Sequence, residues 1–229
     1  MLIKGLQKTT LLDFPGKVAC TVFTGGCNFR CPFCHNASLV TRVKEGELFT
    51  ESEIFSFLER RRKILDGVCI TGGEPLLQPD LHLFCQKLHE LGLLVKLDTN
   101  GSFPKQLQAL IEAGLVDYIA MDIKNSKEEY ARTCGISAFP EEIETSLRMI
   151  MNAGIPYEFR TTVTREFHSS ESMAALAHWI KGANQYFLQA FIDSGDLIEP
   201  GLSAYSADEM ERLLMIVRRD VPSARLRGM

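Results

Sequence analysis

Short apolar runs alternate with stretches of helical period from one end of the chain to the other. Val18-Ala19-Cys20-Thr21-Val22-Phe23 reads as a first strand, Val68-Cys69-Ile70-Thr71 as a second, Leu94-Val95-Lys96-Leu97 as a third and Tyr118-Ile119-Ala120-Met121 as a fourth. Tyr157–Val163 and Tyr186–Phe191 follow as the fifth and sixth. Between them, apolar residues recur at helical spacing and end at a glycine. Leu81, Phe84, Cys85, Leu88 and Leu91 precede Gly92, and Leu107, Leu110 and Ile111 precede Gly114. Ile143, Leu147, Ile150 and Met151 precede Gly154, and Met173, Leu176, Ala177 and Ile180 precede Gly182. A last helix uses Met210, Leu213, Leu214 and Val217, with Pro222 beyond it.

Strands that are each followed by a helix pack most stably as a parallel sheet with right-handed crossovers, an α/β fold. Six units are too few for a closed barrel of eight, so the pattern predicts a partial, open (β/α)6 barrel. With no Pro-, Gly- or Ser-rich linker, residues 1–229 are expected to form a single domain. Residues 32–49 and 192–206 read as the longest irregular segments. In parallel βα folds chemistry collects where strands end, so the residues just after each strand carry the most information.

Composition narrows the function classes. The 229 residues are 45% apolar and 24% charged, as in an ordinary globular protein, with a formal net charge of -4 that gives no reason to expect nucleic acid or an anionic membrane as partner. No apolar run reaches the roughly 18 residues of a membrane span, and the first residues lack the apolar stretch of a secretory signal, so a cytoplasmic location is expected. Seven cysteines, an odd count without an export signal, point to metal or redox chemistry rather than a disulfide framework.

Four of the seven are scattered, at Cys20, Cys69, Cys85 and Cys134, and read as small buried hydrophobes. Cys27, Cys31 and Cys34 instead fall within eight residues, in the loop Gly25-Gly26-Cys27-Asn28-Phe29-Arg30-Cys31-Pro32-Phe33-Cys34-His35-Asn36 after the first strand. Soft thiolates suit zinc or an iron–sulfur cluster. A structural zinc normally takes four ligands, and no second Cys-x-x-Cys or Cys-x-x-His pair occurs. Four irons held by three cysteines leave one iron open to a substrate.

Further groups stand at the other strand ends. The second strand runs into Gly72-Gly73-Glu74-Pro75, where adjacent glycines let backbone approach a ligand closely. The third ends in Asp98-Thr99-Asn100-Gly101 and the fourth in Asp122-Ile123-Lys124, oxygens suited to a hard cation beside a lysine suited to a carboxylate. Arg160 on the fifth strand offers a second positive charge, and Gln189 on the sixth a polar side chain. His82, His89 and His178 lie on helical segments, as packed or solvated residues. Glu59-Arg60-Arg61-Arg62-Lys63 and Arg218, Arg219, Arg225 and Arg227 read as solvated faces.

Cys27-x-x-x-Cys31-x-Phe33-Cys34 resembles the signature loop of the radical S-adenosylmethionine (SAM) superfamily, and Gly72-Gly73-Glu74-Pro75 resembles that superfamily's GGEP segment. Asp98-Thr99-Asn100-Gly101 and Met121-Asp122-Ile123-Lys124 are similar to the DTNG and MDIK segments of glycyl-radical activating enzymes. Together with Cys31-Pro32-Phe33-Cys34-His35-Asn36 and the opening Lys4-Gly5-Leu6-Gln7-Lys8-Thr9-Thr10-Leu11-Leu12-Asp13-Phe14-Pro15-Gly16-Lys17, they look like the anaerobic ribonucleoside-triphosphate reductase activating proteins.

The resemblance implies one [4Fe-4S] cluster on Cys27, Cys31 and Cys34, with SAM on the open iron. Phe33, Cys34, His35, Gly72, Gly73, Glu74, Asp98, Asn100, Asp122, Lys124, Arg160 and Gln189 are the expected SAM contacts. Lys124 would meet its carboxylate, and Asp98, Thr99, Asp122 and the Met121 carbonyl would form a candidate monovalent cation site. The implied reaction is one-electron cleavage of SAM to methionine and a 5′-deoxyadenosyl radical, which abstracts hydrogen from a glycine of anaerobic ribonucleotide reductase. Flavodoxin is the expected type of electron donor.

Alternatives within the class are activation of a pyruvate formate-lyase type of enzyme, and a synthase acting on a small heterocycle. From a different class, a zinc-binding interaction module would use the three thiolates and leave Gly72-Gly73 and Lys124 without a purpose. An open barrel mouth suits a protein loop as substrate. Residues 192–206 sealing a pocket would count against it.

Overall fold

The strands carry two different faces. In the computed structural model, which describes residues 1–135 and 140–229, Val68, Ile70, Val95, Leu97, Ile119, Met121, Phe159 and Leu188 are fully buried in one continuous apolar core. The alternating positions of the same strands include Lys96, Asp98, Asp122, Glu158, Arg160 and Gln189. Because successive side chains of a strand point to opposite faces, this puts helices against one face of the sheet and charge on the other.

Eight strands form one open sheet in sequence order: β1 (Ile3–Thr10), β2 (Ala19–Thr24), β3 (Gly67–Gly72), β4 (Leu94–Thr99), β5 (Tyr118–Asp122), β6 (Tyr157–Val163), β7 (Tyr186–Ala190) and β8 (Arg225–Arg227). β1 pairs antiparallel with β2, and every later neighbour is parallel. The helices are α1 (Ala37–Thr41), α2 (Glu51–Arg61), α3 (Leu81–Glu90), α4 (Pro104–Glu112), α5 (Tyr130–Cys134), α6 (Pro140–Asn152), α7 (Ser170–Trp179) and α8 (Ala207–Val217). This is an open, partial α/β barrel whose six central strands β2–β7 are those expected, each within two residues at either end.

Two strands go beyond the six. β1 mixes Lys4, Gly5, Gln7 and Lys8 into an edge strand that is half exposed, so it shows no apolar run. β8 is three residues with arginine at both ends, and its pattern reads as surface. The stretch 32–49 also contains α1, and residues 192–206 have no regular element.

Local signals set the helix starts. Thr50 caps α2 in a reciprocal box with Glu53, whose carboxylate accepts the Thr50 N–H at 2.7 Å. Ser206 and Glu209 repeat the device at α8. Among the described residues no helix is long and apolar enough to cross a membrane.

The end of β3 lies against the backbone that leaves β2. Gly73 N–H donates to the Thr24 carbonyl and Glu74 N–H to the Gly26 carbonyl, both at 2.8 Å. A Cβ on Gly73 would lie 1.9 Å from the Gly26 carbonyl oxygen, and Gly72, at φ +116°, would place one 2.4 Å from Thr24 backbone atoms. The two glycines thus serve a backbone-to-backbone contact inside the protein. Gly73→Ala is expected to destabilise the fold by about 2 kcal/mol or more, as overpacking against backbone does, read as a lowered denaturant midpoint. An unchanged midpoint would show that the two segments separate at no cost.

Candidate functional site

The loop after β2 is built to present its thiols. Gly25 N–H donates to the Leu2 carbonyl at 2.9 Å and Gly26 N–H to the Leu39 carbonyl at 2.8 Å, so the residue before β1 and helix α1 both grip its start. Arg30 turns its guanidinium back onto the Cys27 carbonyl at 2.6 Å and the Phe29 carbonyl at 2.8 Å, while its own N–H bonds the Cys134 carbonyl at the end of α5. Cys34 N–H donates to the Cys31 carbonyl at 3.0 Å. The Asn36 amide holds the Gly72 carbonyl at 3.1 Å, joining the far end of the loop to β3.

Cys27, Cys31 and Cys34 all line one cavity of about 250 Å³ at the C-terminal ends of the strands. Burial pushes the Cys27 thiol up to about 12, with the Glu74 charge adding to it, and burial also raises Cys34. A hydrogen bond from the Cys134 thiol lowers Cys31, against burial and with help from the Lys124 charge. The thiolate is the ligand form, so two of the three need a cationic group beside them to ionise. Among the described residues no three His, Cys, Asp or Glu groups gather at single-ion distance. Three soft thiolate donors on one cavity have the chemistry that holds an iron–sulfur cluster.

Glu74 is not where it was expected. It is 1% exposed and does not line the cavity. Its carboxylate accepts from Leu76 N–H at 3.0 Å, Thr99 hydroxyl at 2.8 Å and Asn100 N–H at 2.7 Å. It therefore cross-links the end of β3 to the end of β4, because three converging donors hold a buried carboxylate more firmly than an open cavity would. Burial nevertheless raises it to about 7, against those hydrogen bonds.

Asn100 does line the cavity, and its amide bridges to Asn28 at 3.0 Å, tying β4 to the cysteine loop. Phe33 is buried against Phe167 and His168 with its edge on the cavity, and the His35 ring lies near Phe191 at the rim. Gln189 lines the cavity beside its cross-strand partner Thr162.

Asp98, Asp122, Lys124 and Arg160 come together as one charged wall. Arg160 donates to Asp122 at 2.9 Å and to Asp98 at 3.1 Å, and Lys124 donates to Asp122 at 3.0 Å. Burial opposes both carboxylates' charge, but Arg160 with Lys96 outweighs it at Asp98, and Arg160 with Lys124 at Asp122, so both sit below the usual carboxylate range. Lys124 is correspondingly raised despite its burial, chiefly by Asp122. The expected monovalent cation does not suit this arrangement. Both carboxylates are already paired with protein cations, and Thr99 donates its hydroxyl to Glu74.

Four contributors were not legible as site residues. Lys96, 1% exposed, ion-pairs with Asp98, and Glu158, 2% exposed, is held by Arg227. The buried His168 bonds the Lys124 carbonyl through Nε2 at 2.9 Å while Nδ1 accepts the Thr164 N–H at 3.1 Å, which fixes the backbone of Lys124. A signal for the charges was present: strands of a parallel sheet normally read as apolar throughout, so Lys96, Glu158 and Arg160 inside β4 and β6 mark a charged interior.

The model of the radical SAM superfamily matches residues 21–179. A Methanocaldococcus jannaschii protein that carries the name of a glycyl-radical enzyme activating enzyme is 31% identical over 195 residues, covering 83% of this chain and 80% of the relative. Pyruvate formate-lyase-activating enzyme of Clostridium pasteurianum is 28% identical over 185 residues, covering 78% and 76%. Among solved structures, Streptococcus suis SuiB bound to the precursor peptide SuiA aligns with TM-score 0.70 at 16% identity, over 91% of this chain and 48% of that one. A domain of pyruvate-formate lyase-activating enzyme from Bacteroides vulgatus aligns with TM-score 0.58 at 18% identity, over 71% and 99%. The chain belongs to the radical SAM superfamily, and within it to the glycyl-radical enzyme activating enzymes. Membership implies a [4Fe-4S] cluster and SAM as cofactors and a glycyl-radical protein as substrate.

Lys124→Ala is expected to weaken SAM binding about tenfold or more, the worth of a charge-assisted hydrogen bond, with iron content unchanged. Loss of iron would instead show that Lys124 holds the loop. Glu74 gives a pH test. Its folded value near 7 lies above its ordinary 4.5, so the folded state holds a proton that the unfolded chain releases. That contribution is present at low pH and is lost as pH rises through about 7. Urea midpoints should therefore fall from about pH 5 to about pH 8, by less in Glu74→Gln. An equal fall in both would place the titration elsewhere.

Proposed function

We propose that the chain activates an anaerobic ribonucleoside-triphosphate reductase by forming its glycyl radical. The observation that carries this reading is a single cavity lined by the three loop thiols, the Gly72-Gly73 backbone and the Asp122–Lys124 pair, with none of residues 192–206 lining it. That segment is pinned to the side. Asp196 takes the Ser38 N–H at 3.0 Å and Arg42 at 2.8 Å, and Glu199 N–H bonds the Pro32 carbonyl at 3.1 Å. The mouth is therefore left to a protein loop, and the wording of the cysteine loop and of residues 4–17 favours the reductase.

Cys27, Cys31 and Cys34 hold the cluster. When bound, the cluster and SAM would supply one-electron reductive cleavage chemistry that ends in removal of a hydrogen atom from a glycine α-carbon. The chain's part is placement. Gly72 and Gly73 offer bare backbone to the SAM amino group, and Lys124 offers its ammonium to the carboxylate, with its main chain braced by His168. Phe33 covers one side of the cavity with apolar surface, which excludes water from a reactive site. The Cys34–His35 backbone and Gln189 face the nucleoside, with Asn100 and Arg160 lining the same cavity. The electron comes from a donor of flavodoxin type.

Activation of a pyruvate formate-lyase type of enzyme is the second reading, favoured by the Clostridium pasteurianum relative. To separate them, the reduced, cluster-loaded protein with SAM is mixed anaerobically with each candidate, and the glycyl-radical paramagnetic resonance signal is quantified. A radical on the reductase and none on the lyase is expected. The reverse pattern would establish the second reading, and SAM cleavage without a radical on either would point to a small-molecule substrate.

A further inference from the structure

Three carboxylates and four cations share the layer beneath the cavity: Asp98, Asp122 and Glu158 with Lys96, Lys124, Arg160 and Arg227. Arg160 stands at its centre. Its Nε serves Asp122 at 2.9 Å, and one terminal nitrogen serves Asp98 at 3.1 Å while lying 3.8 Å from a Glu158 oxygen. Glu158 does not take it, because Arg227 grips both Glu158 oxygens at 2.8 Å each and the Tyr118 hydroxyl donates at 3.3 Å. Arg227 is the last residue of β8, stacked 3.7 Å from the Phe187 ring centre, and does not line the cavity.

We infer that Arg227 is a positioning residue for SAM: by satisfying Glu158 it keeps Arg160 on Asp98 and Asp122, and so leaves the Lys124 ammonium available to the ligand carboxylate. The argument is one of competition. A carboxylate 2% exposed that loses a bidentate partner must find another cation, since a buried uncompensated charge is strongly unfavourable. Arg160 is within 1 Å of hydrogen-bond distance and is the group that moves. The nitrogen that turns is the one on Asp98, and the turn of the planar guanidinium draws Nε away from Asp122, which then holds Lys124 more tightly. A lysine bound more tightly by its own aspartate binds an incoming carboxylate less well. The inference rests on the assignment of Lys124 to the SAM carboxylate.

The test uses cluster-loaded protein, with the SAM dissociation constant taken from anaerobic titration of the SAM-induced change in the reduced cluster's paramagnetic resonance. Iron content and thermal midpoint are measured alongside. Arg227→Met is expected to weaken SAM binding between about threefold and about thirtyfold, the range for coupling through a side-chain network, with iron content kept. Arg227→Lys, a point charge without the fork, should recover part of it. The deciding variant is Glu158→Gln with Arg227→Met. A neutral amide lacks the charge that draws Arg160 off its two aspartates, so affinity should return to within about twofold of wild type.

A merely structural arginine would show no such rescue, because the double variant removes more contacts. Wild-type affinity in Arg227→Met, or a double variant at least as weak as the single one, overturns the inference. Should Arg227→Met lose its cluster, the double variant is compared with Glu158→Gln alone: equal affinity supports the inference and further loss overturns it. If Lys124→Ala binds SAM normally, the underlying assignment fails. If it binds weakly while Arg227→Met is unaffected, this inference alone fails.

Discussion

Asp122 is the carboxylate on which the site depends. It takes Arg160 on one oxygen and Lys124 on the other, at 2.9 and 3.0 Å, and so connects the charged interior of the sheet to a lysine that lines the same cavity as the cysteine loop. The pair costs desolvation, which two cations on one carboxylate offset. Its value lies in placement: Lys124 follows the last residue of β5 by two positions, its carbonyl is braced by His168, and its Nζ is held by a carboxylate that is itself fixed. A flexible four-carbon stem is thereby given a single direction.

The other half of the site is held by backbone. Gly72 and Gly73 press the end of β3 against the residues leaving β2, and Glu74 carries the same rigidity across to β4 through Thr99 and Asn100. Asn100 and Asn28 close the circuit back to the cysteine loop. Three consecutive strand ends and one loop thus behave as a unit, with the thiols and the charged wall lining the same cavity. Preorganised donors of this kind are what a cofactor with its own chemistry needs from a protein.

Most of this was legible in the sequence, for identifiable reasons. The six central strands and helices α3, α4, α6, α7 and α8 were found because apolar runs and helix stops are local signals, whereas α1, α2 and α5 were not read. The thiols and the strand-end motifs were found because their spacing is chemical. β1 and β8 were missed because edge strands carry polar residues, and Glu74 was misplaced because a motif reveals a residue type without the direction of its side chain. Lys96, Glu158 and His168 were passed over and Arg227 was read as part of a solvated face, because most of their partners lie far away in sequence: Arg227 meets Glu158 across β7, and His168 meets Lys124 from beyond β6. The cation suggested by Asp98 and Asp122 gave way for the same reason, since its place is taken by Lys96, Arg160 and Lys124.

The central claim is that the three thiols and the charged wall face one ligand in one cavity. Anaerobic electron paramagnetic resonance of the reconstituted, reduced protein with and without SAM tests it directly, because the spectrum responds to whatever reaches the open iron. A [4Fe-4S]+ signal whose shape changes when SAM is added is the expected result. A fully loaded cluster whose signal is indifferent to SAM would contradict it, leaving the thiol loop and the charged wall as two unrelated features of the same cavity.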